Sequence, residues 1–70
     1  MPEMIYVDSS NIEAIGYDDD WQALHVQFLS GSCYIYNDVP RHVFDALISA
    51  PSKGSFLNRE IKNVYQFTKQ

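Results

Sequence analysis

From Ile12 to Tyr36 apolar and polar residues alternate with a period of two, broken only by turn-forming residues. After Asn37 the period lengthens to that of a helix. A chain that changes period once, near its middle, has few ways to fold. The alternating part makes a half-buried antiparallel meander, and the helical part that follows must cover its apolar face. Seventy residues allow a single domain spanning 1–70, because a chain this short buries only about 60% of its unfolded surface.

Three strands follow from the alternation, at about Ile12 to Tyr17, Trp21 to Leu29 and Ser32 to Tyr36. Met4 to Val7 reads as an optional edge strand before the turn-favouring stretch Asp8-Ser9-Ser10-Asn11. In the second strand Leu24, Val26 and Phe28 point one way, and Ala23, His25, Gln27 and Leu29 the other. The first set is uniformly apolar and marks the core face; which face Tyr34 and Tyr36 share is left open. Ser30-Gly31 predicts a tight hairpin, since glycine accepts a positive φ.

Beyond Asn37, Asp38 is placed to cap a helix, Pro40 suits its first turn, Val43, Phe44, Leu47 and Ile48 form a stripe, and Pro51 ends it. A second helix is expected from Ser55 as N-cap, with Phe56, Leu57, Ile61, Val64 and Tyr65 on one side and Arg59, Glu60, Lys62 and Asn63 mainly on the other. Regular structure is expected to fade after Phe67. The predicted class is α+β: a small three- to four-stranded antiparallel β-meander followed by two α-helices packed on one face.

Charge is divided unevenly. Residues 1–40 carry Glu3, Asp8, Glu13, Asp18, Asp19, Asp20 and Asp38 and no basic side chain. Residues 41–70 carry Arg41, Lys53, Arg59, Lys62 and Lys69 against Asp45 and Glu60. The net charge of −4 argues against non-specific duplex binding, which draws on clustered cations. A basic C-terminal face for an anionic ligand and a mutual attraction of the two halves both fit this pattern. Cys33 is the one cysteine, which excludes an internal disulfide and points to a reducing compartment. No apolar run approaches the roughly twenty residues of a membrane span, and Met-Pro-Glu-Met lacks the regions of a signal peptide. A cytoplasmic location is expected.

Tyr34 and Tyr36 lie two apart on a strand and so leave one face together. They either stack on successive bases or pack beneath the helices. Ser52-Lys53-Gly54-Ser55 leading into a helix brings backbone N–H groups, an ammonium and a hydroxyl together, which suits a phosphate or simple capping. Arg59 and Lys62, three apart, would be neighbours on that helix, and Arg41 and His42 could join from the first. Asn58 either caps a neighbouring segment or contacts a ligand. Asp18-Asp19-Asp20 lacks the alternating ligands of a calcium loop and reads as a solvated turn. Cys33, His25 and His42 are too few and too scattered for a zinc or nucleophile site.

Val7-Asp8-Ser9-Ser10-Asn11-Ile12, Ile15-Gly16-Tyr17-Asp18, Tyr34-Ile35-Tyr36, Val39-Pro40 and Ser52-Lys53-Gly54-Ser55-Phe56-Leu57-Asn58 occur in an order and spacing that together resemble the KTSC domain. That module is named for its place at the C-terminus of some lysyl-tRNA synthetases and is also found as a stand-alone bacterial or phage protein. The resemblance covers nearly the whole chain and departs at Leu57, where an aromatic residue is expected. It implies no established catalytic activity and, through the synthetase association, RNA binding. The expected function is therefore a non-enzymatic module that binds RNA or a phosphate-bearing nucleotide without cofactor or metal. Tyr34, Tyr36, Arg41, His42, Lys53, Ser55, Asn58, Arg59 and Lys62 are its candidate ligand-binding residues. The alternative is a protein-interaction or dimerisation module that uses exposed aromatics and a sheet edge; an uncharacterised small enzyme comes third.

Overall fold

Alternation in the first half and amphipathic helices in the second build one sheet with a helical layer on one face. A computed structural model describes residues 2–70. Strands β1 (Met4–Tyr6), β2 (Ile12–Asp18), β3 (Ala23–Phe28) and β4 (Cys33–Tyr36) precede helices α1 (Arg41–Ser49) and α2 (Lys53–Phe56). A π-turn over Leu57–Ile61 continues α2, and β5 (Phe67–Lys69) returns to the sheet. The five strands lie in sequence order, and each pairs antiparallel to its neighbour.

The predicted α+β class holds, with five strands instead of three or four. The tail, expected to fade after Phe67, pairs with β4 through Tyr34↔Lys69, Ile35↔Thr68 and Tyr36↔Phe67. Three residues are too few for a period to show, so tertiary pairing alone makes this strand. The second strand is shorter than expected at its start. Gln22 adopts φ 50° and keeps Trp21 in the turn, 78% exposed. The β3–β4 hairpin turns at Gly31 as foreseen: φ is 99° there, its N–H donates to the Phe28 carbonyl at 2.9 Å, and the Phe28 N–H donates to Ser32 at 2.8 Å.

Helix α1 starts after Pro40 without a side-chain cap. Asp38, expected to cap, instead takes φ 58° in the preceding turn, where a short polar residue tolerates the left-handed region. Pro51 stops the helix as foreseen. The second helix begins earlier than expected, because the hydroxyl of Ser52, not Ser55, caps it by accepting the Ser55 N–H at 3.4 Å.

Register decides the core. Val26 pairs with Ile15 and Tyr34, and Leu24 with Tyr17 and Tyr36, so all six share the face covered by Phe44 and Leu47 of α1 and by Leu57 and Ile61 of the π-turn. Val64, expected on the inner stripe, is 64% exposed. No helix among the described residues is long and apolar enough to cross a membrane.

The opposite face is built small at its centre, with Ala14, Gly16 and Ala23 around His25. His25 is only 8% exposed and its Nδ1 has no hydrogen-bond partner. Burial therefore lowers its pKa below the ordinary value, opposed by the Asp18 carboxylate. A lowered value favours the neutral ring in the fold, so this group leaves stability unchanged above about pH 6.5. Below that pH only the unfolded chain takes the proton, and stability falls by at most about 1.4 kcal/mol per pH unit until the folded imidazole titrates. Urea midpoints for the parent and His25→Gln between pH 7.5 and 5 test this. Parallel curves for the two proteins would show that His25 has no part in acid sensitivity.

Candidate functional site

The register that buries the core also settles the two tyrosines: both rings face the helices. Tyr36 is 1% exposed, and burial, with a smaller contribution from Tyr34, raises the pKa of its hydroxyl. Tyr34 is half-buried; it stacks on Phe67 at 5.0 Å between centroids and meets Phe28 edge-on at 5.4 Å. The Lys69 ammonium lies 5.9 Å from the Tyr34 ring centre. Stacking of both tyrosines on two bases is thereby overturned, because Tyr36 is sealed in and Phe67 occupies one face of Tyr34.

Beside this aromatic row lies a cleft of about 240 Å³ between the β3–β4 hairpin and the α2 segment. Phe28, Tyr36 and Leu57 are its apolar parts, and Asn11, Ser30, Ser32, Asn58 and Lys62 its polar ones, with Tyr34 contributing to both. The volume falls below the range of drug-sized pockets and suits one flat heterocycle. Asn58 makes no side-chain hydrogen bond among the described residues, so the capping alternative has no bond behind it. Asn11 is held by its turn: the Ser9 hydroxyl donates to its Oδ1 at 3.2 Å and accepts the N–H groups of Asn11 and Ile12 at 3.4 and 3.3 Å. A Cβ on Gly54 would stand 2.8 Å from that same Oδ1. Glycine is what lets the helix start approach the Asn11 carboxamide so closely.

A second hollow, lined by Asp8, Ser52, Lys53, Gly54 and Ser55, shares Asn11 and Asn58 with the first. Here the expected phosphate cradle is already satisfied from within. Ser52 Oγ takes the Ser55 N–H, the two hydroxyls are 3.1 Å apart, and Lys53 Nζ donates to the Ala50 carbonyl at 3.0 Å. Asp8 on the same wall adds repulsion for an anion.

The basic cluster does not assemble. Arg41 binds both carboxylate oxygens of Asp19 at 2.8 Å and Asp45 at 3.3 Å, at the far end of α1. This is the attraction between acidic and basic halves that the charge pattern allowed. His42 is exposed on α1 and lines neither hollow. Arg59 pairs with Glu60 at 3.0 Å, lies over Phe56, and faces the side of α2 lined by Ala46 and Pro51. Arg59 and Lys62, expected as neighbours, line different hollows, and between them the chain takes a wider turn in which the Lys62 N–H reaches the Leu57 carbonyl, a five-residue step. Lys62 joins Asn58 in the cleft instead.

Of the nine expected site residues, Tyr34, Tyr36, Asn58 and Lys62 meet in the cleft, Lys53 and Ser55 line the adjoining hollow with Asn58, and Arg41, His42 and Arg59 lie elsewhere. Sequence reasoning missed Asn11, Ser30, Ser32, Phe67 and Lys69. No signal in the sequence marks Phe67 and Lys69 as strand residues, since three residues are too few for a period to show.

The profile of the KTSC domain matches residues 8–65. A protein of Tsukamurella paurometabola is 48% identical over 56 residues, 80% of this chain and 84% of that one. The lysine–tRNA ligase of Nostoc punctiforme is 40% identical over 60 residues, 86% of this chain but 11% of the ligase. The crystal structure of a KTSC domain protein from Yersinia pestis superposes with a TM-score of 0.96 at 36% identity, covering 100% of this chain and 99% of that one.

Proposed function

Because this chain belongs to the KTSC domain family, we propose that it is a non-enzymatic binding module whose ligand is RNA or a nucleotide, held in the cleft between Asn11 and Asn58. One observation carries the reading: Tyr34, Asn58 and Lys62 line a single cleft of one-base size. An aromatic floor receives the base, the carboxamides and Ser30 and Ser32 receive its edge and sugar, and Lys62 and Lys69 receive phosphate. Among the described residues neither lysine makes an ion pair, so both charges are free for a ligand. Carboxamides and hydroxyls hold a ligand without exchanging protons near neutral pH, which supports binding over catalysis. The relationship to part of lysine–tRNA ligases, enzymes that act with tRNA, adds support.

Fluorescence anisotropy with a short single-stranded RNA tests this. Binding should weaken as salt rises, with a logarithmic slope of about −1.4 for two phosphate contacts. Lys62→Gln with Lys69→Gln should flatten that slope while the melting temperature stays within a degree or two, since exposed charges contribute little to stability. Absence of binding at low salt would remove the reading.

The exposed Ile5 and Tyr6 on edge strand β1, with Trp21 in the β2–β3 turn, favour a second reading as a protein-interaction module. Such an apolar contact would persist or tighten in salt where RNA binding fades.

A further inference from the structure

The cleft is not closed at Lys62. A shallower depression runs on from that residue through Val64 and Tyr65 to Phe67, so Lys62 lines both. Phe67 stacks on Tyr34 with one face and is 49% exposed. It also meets Tyr36 at 5.7 Å with 48° between planes, and the half of the ring left exposed is a stacking platform. At the other end, Asp8 and the self-capped Ser52 turn oppose an anion, so the path for a charged chain runs only one way, from the Asn11 and Asn58 end toward β5.

We propose that the site takes a dinucleotide step of a single strand: one base in the Tyr34 cleft, the next on the exposed part of Phe67, and the linking phosphate at Lys62. This rests on the function proposed above and narrows its ligand from any nucleotide to a chain of at least two. Lys62 stands where the two depressions meet, which is where a linking phosphate must pass. The longest molecular axis is 28 Å, which limits the track to a short stretch, on the order of the four nucleotides at the low end of single-strand sites. A duplex cannot use it, because its bases are stacked and paired.

Isothermal titration of the intact protein with adenosine monophosphate, the dinucleotide ApA and a glutamate-rich peptide tests the step. ApA should bind roughly 5- to 150-fold tighter than the monophosphate, the gain of one stacked base. Phe67→Ala should abolish that gain, so that ApA binds this variant no tighter than the monophosphate does. Phe67→Leu, which keeps apolar bulk for β5 without a flat ring, should lose most of it. Circular dichroism shows that each variant is folded. Equal affinity for ApA and the monophosphate would overturn the two-base step while leaving the nucleotide reading intact. Failure of both to bind would overturn that reading and the step with it. Tighter binding of the peptide than of ApA would make the track a protein-docking groove and overturn the proposal.

Discussion

Phe44→Ala should lose about 3–5 kcal/mol of stability, the usual cost of deleting a buried aromatic ring. Phe44 is 7% exposed, stacks on Tyr17 at 5.1 Å with 17° between planes, and lies under the Arg41 guanidinium at 5.5 Å. One ring thereby joins α1 to β2 and supports the Arg41–Asp19 bridge above it. A domain of this length has on the order of 4–10 kcal/mol in total, so the variant should be largely unfolded in mild urea and partly so without it. Asp45→Ala on the same helix is the contrast. It removes one exposed ion pair at 3.3 Å and should cost no more than about 1 kcal/mol. Urea midpoints by circular dichroism measure both, and a Phe44→Ala loss under 1 kcal/mol would place the ring outside the cooperative core.

Gly16→Val should cost about 3 kcal/mol, the upper end for overpacking, and should strip β1 from the sheet. A Cβ at Gly16 would lie 2.6 Å from Met4 Sδ, 3.0 Å from the Glu3 carbonyl oxygen and 3.2 Å from Pro2 Cγ. A thioether can swing aside, but a backbone carbonyl cannot, and valine adds two methyl groups in the same space. The gain in strand propensity, at most about 1 kcal/mol, is smaller than the clash. Amide exchange of Ile5 and Val7, whose N–H groups face β2, should rise sharply in the variant, while Leu24 and Val26 stay protected. Unchanged protection of β1 would mean that the N-terminal segment does not pack over Gly16.

The clefts owe their form to contacts that no local pattern announces. Asn11 meets Gly54 across 43 positions of sequence because a turn held by Ser9 arrives where a serine-capped helix begins. Asn58 was legible as a polar residue beside Phe56 and Leu57, and Lys62 as a cation on the polar side of the second helix, yet the two meet on a π-turn that the sequence does not announce. Phe67 and Lys69 were invisible as a strand until β4 offered its edge.

Alternation over Ile12–Tyr36, the helical stripe of Phe44 and Leu47, the Gly31 hairpin and the stop at Pro51 were all readable in the chain. Each arises from sterics and side-chain spacing within a few residues, and that short range is enough to specify an α+β domain with one apolar sheet face. Which way Tyr34 and Tyr36 point, which carboxylate claims Arg41 and which residues share a cleft were decided only by the folded packing. Cross-strand register and ion pairing join positions far apart in sequence. A one-residue slip would turn both tyrosines to the opposite face with the local pattern unchanged.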